Sequence, residues 1–348
     1  MKTSRPLISP RLSNMELLRI VSMLMVLAVH IDGASLGLPD LQGNLNSLTS
    51  RNVWRLTVEA FAIVGVNCFT LISGYFGIRL RLRNVGVYLF QCVFYAVGIY
   101  TVVNGVVHPE RFSWSGWGES WMVLTHTDLW YVPAYFCLML LSPFINAGFE
   151  RISRSSCLWI TIGFVAFNVW AGWWWGGKFN PTGYTVIQLV MMYMAGRCIA
   201  AYSDVLVRCR RGVMIGISFA IYAAASMLIA FHACYDISRA YAYNSPLVMI
   251  SSMALLLAFS SMRFSCEAIN YVARSAFAVY LLHKAPLVWV GYMKPAVMAM
   301  WKSLSLPEFS LCALGLMMGV YLLSMVVDTL RRLLSSLIFR RRNFPSLA

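Results

Sequence analysis

Ser13-Asn14-Met15-Glu16-Leu17-Leu18-Arg19-Ile20 opens a stretch that continues through an apolar run, Met23 to Val29, and reaches His30. Ser13 followed three residues later by Glu16 has the form of a capping box, so a helix is predicted to begin here. The run is apolar enough to enter a bilayer, yet it carries an arginine and a histidine. With about 3.6 residues per turn and a rise of about 1.5 Å, the step from Arg19 to His30 ends roughly 20° past three full turns and about 16 Å further along. The two side chains therefore share one face, half a membrane apart. Ionisable groups are costly inside a membrane helix and usually face the protein interior or a wet cavity. That makes the pair a candidate site. In the other reading Arg19 snorkels to the headgroups and His30 is a satisfied interhelical contact.

The rest of the chain sets the class. Its 348 residues are 59% apolar and 12% charged, with a mean hydropathy of +0.68. Such a composition excludes a soluble globular domain and predicts an all-α, polytopic transmembrane helical bundle. About ten membrane helices are expected, at 15–37, 55–77, 84–106, 129–147, 157–175, 184–202, 213–233, 246–262, 270–290 and 310–328. The net charge of +15 invites a nucleic-acid reading, but its distribution argues against one. With the N-terminus in the cytoplasm, the cytoplasmic segments hold 20 of the 28 Lys and Arg residues. The positive-inside rule then puts both termini in the cytoplasm, and no nucleic-acid partner is expected. No cleavable signal peptide is expected either. The nine cysteines are scattered without a CxxC pair, so neither a disulfide framework nor a metal site is expected.

Further candidates lie along the chain. Asn67 and Gly74 share a helix face, and Gly74 would let a neighbouring helix or a ligand approach the backbone. Arg79, Arg81 and Arg83 form a cluster suited either to binding phosphates or to anchoring the helix on the cytoplasmic side. His126-Thr127-Asp128-Leu129-Trp130-Tyr131 reads as the lip of an outward-facing pocket, or as a helix cap with an aromatic belt. His283, in Tyr280-Leu281-Leu282-His283, falls at a depth comparable to that of His30. Residues 329–348 read as a basic cytoplasmic tail attracted to anionic lipid, after a single membrane-embedded domain. No internal repeat is visible.

Taken together these stretches resemble the acyltransferase 3 family of bacterial integral membrane acyltransferases. The resemblance rests on Glu16-Leu17-Leu18-Arg19 with His30 (an Arg-x10-His arrangement) and on Phe69-Thr70-Leu71-Ile72-Ser73-Gly74-Tyr75. It rests also on Leu129-Trp130-Tyr131-Val132-Pro133-Ala134-Tyr135 with Leu141-Ser142-Pro143-Phe144-Ile145-Asn146, and on Tyr280-Leu281-Leu282-His283. It implies a bacterial inner-membrane enzyme that moves an acyl group, acetyl above all, from cytoplasmic acyl-CoA to a hydroxyl. The acceptor would be a surface polysaccharide, O-antigen, capsule or lipid-linked sugar. Acyl-CoA is then a co-substrate, and no tightly bound cofactor is expected. On this resemblance His30 and Arg19 are the catalytic candidates, with Arg19, Arg79 and Arg81 holding the donor. His283, His126, Asp128 and Trp130 are the acceptor-side candidates. A homo-oligomer stays open. From another class, a transporter or flippase for a lipid-linked saccharide would also use buried polar residues, though the paired broken helices usual in such carriers are not apparent.

Overall fold

Helix α1, Ser13–Val29, runs on into a π-helical turn over His30–Ala34. It starts where the sequence predicts, but by other means. Leu12 precedes it, and no side chain caps its first turn. The Ser13 hydroxyl instead accepts the Cys266 N–H at 2.9 Å, and Glu16 pairs with Arg19 at 3.1 Å. The expected capping box is thus dissolved by a tertiary contact and an intrahelical ion pair. The π-turn takes one more residue per hydrogen-bonded ring than an α-helix and shifts the register beyond His30. Asp32 is thereby turned inward, where Arg55 Nε meets its Oδ1 at 2.5 Å, and Arg55 also bonds the Gly37 carbonyl.

The computed structural model describes residues 12–176, 178–204 and 210–338. The N-terminal Lys2, Arg5 and Arg11, together with Cys209 and the arginines at 340–342, lie outside the described residues. Helices α2 (Ser50–Ala62) and α3 (Gly65–Phe76) form one span broken at Ile63 and Val64. Helix α4 (Leu82–Tyr100) is followed by a short rim helix α5 (Trp114–Glu119), then by α6 (Tyr131–Arg151) and α7 (Arg154–Asn168). Next come α8 (Val186–Ala201), α9 (Arg211–Ala233), the single turn α10 (Ile237–Ala240) and α11 (Pro246–Ser261). The chain closes with α12 (Glu267–Ala273), α13 (Ala276–His283), α14 (Lys294–Ser303) and α15 (Leu306–Ile338). Among the described residues there is no strand.

Among the described residues, seven stretches are long and apolar enough to cross a membrane. The expected sixth and eighth spans are apolar helices of 16 residues each, α8 and α11. At about 1.5 Å per residue each is some 24 Å long, short of a hydrocarbon core of about 30 Å. The expected ninth span, 270–290, is not one helix. It breaks at Arg274 and Ser275 and again at Lys284 and Ala285, where Pro286 has no N–H to give and pushes Ala285 to an extended ψ of 129°. The last helix runs past the expected end at 328, so residues 329–338 continue a helix rather than begin a tail. Its outward stripe, Leu311, Val326 and Leu337 among others, is exposed and apolar, as a lipid-facing surface should be.

The face shared by Asn67 and Gly74 packs on α8. Asn67 accepts from Gln188 Nε2 at 3.2 Å, and a Cβ on Gly74 would overlap the Tyr193 carbonyl. Gly196 makes the reciprocal approach to the Leu71 carbonyl. This is the close helix contact that small residues permit inside a membrane. Gly74→Ala is expected to cost about 3 kcal/mol, whereas Gly216→Ala, with nothing in reach of its Cβ, is expected to be neutral or slightly stabilising. Thermal unfolding of the two variants in detergent checks the contrast.

Candidate active site

Arg19 and His30 both line a cavity of about 1000 Å³ that runs along α1. The helical spacing that puts them on one face is thus realised in a shared wall. Between them the wall is aromatic: Tyr131 and Tyr135 stack at 5.5 Å, and Tyr88 stacks on Phe277 at 5.5 Å. Tyr135 OH meets Ser73 Oγ at 3.2 Å, so the Phe69–Tyr75 stretch supplies one polar wall group.

His30 is backed by His283. His30 Nδ1 lies 2.8 Å from His283 Nε2, and His283 Nδ1 lies 2.6 Å from the Val279 carbonyl oxygen. These contacts assign the tautomers of the neutral pair. The carbonyl can only accept, so His283 Nδ1 carries its proton and His283 Nε2 is bare. His30 Nδ1–H therefore donates to His283 Nε2, and the remaining lone pair of His30 sits on Nε2. The Trp289 ring presses edge-on against the His30 imidazole with centroids 5.6 Å apart, and Ser35 Oγ donates to the His30 carbonyl at 2.9 Å. The first braces the ring and the second the backbone that carries it. The break at Pro286 brings Trp289 back against α1.

His283, expected on the acceptor side, lies behind His30 rather than on the cavity wall. It is 1% exposed, and both of its ring nitrogens are already used. It orients His30. Of the other acceptor-side candidates, Trp130 lines the cavity, in contact with Tyr184 at 4.9 Å and Tyr243 at 6.0 Å. His126 and Asp128 are exposed and off the cavity wall. His126 meets its neighbour Thr125, and Thr127 rather than Asp128 caps the turn through the Leu129 N–H.

The donor-side candidates are redistributed as well. Arg19 lines the cavity, with its guanidinium held by Glu16 and 5.9 Å from the Phe76 ring centroid. Arg79 and Arg81 are exposed and do not reach the wall, whereas Arg83 does. Three arginines outside that cluster join it there: Arg274, Arg331 and Arg332. Arg331 and Arg332 are anchored by Asp328, fully buried, which accepts from Ser275 Oγ at 3.0 Å and pairs with Arg331 at 2.8 Å and Arg332 at 3.6 Å. Arg332 Nη1 is buried without a hydrogen-bond partner. An acid in an apolar helix followed at i+3 and i+4 by arginines is legible as a buried charge cluster. Reading those arginines as a lipid-attracted tail hid it.

The cavity thus has an arginine end, an aromatic waist, His30 beyond it, and an end lined by Glu59, Trp130, Tyr184 and Tyr243. Fold and site together define a multi-pass membrane protein with ionisable groups converging on an internal cavity. The acyltransferase domain model of the acyltransferase 3 family matches residues 12–327, nearly the whole chain, and the chain belongs to that family. It is a membrane acyltransferase. No curated protein and no solved structure matches the chain.

Proposed function

We propose that this enzyme carries an acyl group, acetyl in the simplest case, from acyl-CoA to a hydroxyl of a surface polysaccharide or lipid-linked sugar, with His30 as general base. The observation that supports this reading most strongly is the bare Nε2 of His30 on a cavity wall continuous with five arginines. His30 Nε2 takes the proton of the acceptor hydroxyl as its oxygen attacks the thioester carbonyl. The tetrahedral intermediate collapses, the C–S bond breaks, and the proton passes from His30 to the departing thiolate. His283 Nε2 accepts the His30 Nδ1–H throughout and stabilises the imidazolium that forms between the two steps.

The arginine end suits the phosphates of coenzyme A, with the pantetheine arm threaded past Tyr135 and Tyr131 towards His30. Arg332, with its unpartnered Nη1, is the group best prepared for an anion. Arg332→Ala is expected to raise the apparent KM for acyl-CoA roughly tenfold, the scale of one lost charged hydrogen bond, while Arg79→Ala stays within about twofold because its side chain is off the wall. Initial rates against donor concentration check the pair. In this reading the arginine end faces the cytoplasm and the aromatic end the outside, as the charge asymmetry favours, and the membrane is the bacterial inner membrane that the family resemblance implies. Mass spectrometry of surface saccharides from cells with and without the chain tests the activity, an acyl mass being lost when the chain is lost.

A further inference from the structure

Glu59 is a carboxylate in the middle of a membrane span, 3% exposed, with no use in the proton transfer described above. Its surroundings are built for it. The Gly33 N–H donates to it, and a Cβ at Gly33 would stand 2.8 Å from Glu59 Oε1, so any larger residue there would shift the carboxylate. The nearest cation, Arg55, is spent on Asp32 and the Gly37 carbonyl. Glu59 Oε2 is buried and has no hydrogen-bond partner, although Glu59 lines the cavity. A buried carboxylate oxygen without a donor is costly, and a ligand hydroxyl entering from the cavity that Glu59 lines would relieve that cost.

The groups around it narrow the ligand. Tyr241 OH donates to the Leu56 carbonyl at 2.8 Å, one turn before Glu59 on α2. Trp130, Tyr184 and Tyr243 make a contiguous aromatic wall, with Tyr184 and Tyr243 centroids 4.8 Å apart. Gly33, against which Glu59 packs, follows His30 by three residues in the same π-helical turn, so the carboxylate and the base lie on neighbouring stretches of one cavity wall. An aromatic wall beside an unmatched carboxylate oxygen fits a molecule with an apolar C–H face and a hydroxyl edge.

We infer that Glu59 is the acceptor-binding carboxylate, its Oε2 accepting a hydroxyl of a sugar ring stacked on the Trp130–Tyr184–Tyr243 wall, so that a neighbouring hydroxyl is presented to His30. This rests on the proposed acyl transfer and assigns the acceptor half of that site, away from the exposed His126 and Asp128. A neutral hydroxyl needs an acceptor oxygen, which glutamine keeps. An ammonium would need the charge, which glutamine loses.

The test uses the full chain in detergent, labelled acetyl-CoA as donor, and as acceptor the saccharide-bearing membrane extract of cells from which the chain has been deleted. Glu59→Ala is expected to raise the acceptor KM at least about tenfold with the KM for acetyl-CoA unchanged, and Glu59→Gln to fall between it and the wild type. An unchanged donor KM shows that the variants fold, which a merely structural role for the Asp32–Arg55–Glu59 cluster would not allow. Wild-type acceptor KM in Glu59→Ala overturns the assignment alone, as does a rise in both KM values together. Glutamine as damaging as alanine overturns the hydroxyl form in favour of a cationic ligand. Failure of the wild type to transfer label overturns the acyl-transfer reading itself.

Discussion

His30→Ala is expected to lower acyl transfer by about 10²–10⁴-fold, the range a positioned general base contributes, with expression and membrane insertion intact. The side chain makes one hydrogen bond, to His283, and lies on the cavity wall rather than in the packed core. Its loss leaves no large void, and the wide turn that follows is held by Ser35 and by the Asp32–Arg55 pair. Initial rates of thiol release from acyl-CoA in purified protein measure the effect. Binding of the donor should survive, since the arginine end is some 16 Å away along the helix. A loss confined to the rate at saturating donor would mark His30 as acting in the chemical step.

His283→Ala is expected to lower the same rate by about 10²-fold, as removal of the group that orients a catalytic imidazole commonly does. Without His283 Nε2, the His30 Nδ1–H has no acceptor, and the ring is free to turn or to exchange tautomer. In either case the lone pair on Nε2 is no longer aimed into the cavity. His283→Gln, whose amide oxygen can accept the Nδ1–H, is expected to recover part of the loss. The double variant should be little slower than His30→Ala alone, because groups that act as one unit do not contribute additively. Rates of the four proteins at saturating donor check the pattern.

The parts of this site that could be read in the sequence were those fixed by helical periodicity. Arg19 and His30 share a face because the same rotation per residue holds throughout α1, and the structure puts both on one wall. His283 was legible as a group of similar depth, but its part as the partner of His30 depends on how α13 packs on α1, which no spacing states. The ends of elements were less legible. Ser13 and Glu16 have capping-box form, yet Cys266 and Arg19, one distant and one local, compete for them. Pro286 marks the break in the expected ninth span, but hydropathy averaged across it reads as continuous. The arginines divide on the same grounds. Arg79 and Arg81 belong to an exposed turn, whereas Arg331 and Arg332 are drawn to the wall by the buried Asp328. Glu59 escaped notice because its significance lies in an unmet hydrogen bond, a property of the folded state alone.

The central claim is that one cavity takes its donor at the arginine end and its acceptor at the aromatic end, with His30 between them. Sealed inside-out vesicles and right-side-out vesicles, each given labelled acetyl-CoA in the external medium, test it most directly through the label recovered on membrane saccharide. Label is expected with inside-out vesicles carrying the wild-type chain, and not with right-side-out vesicles or with His30→Ala in either. Equal labelling in both orientations, or undiminished labelling by His30→Ala, would contradict it.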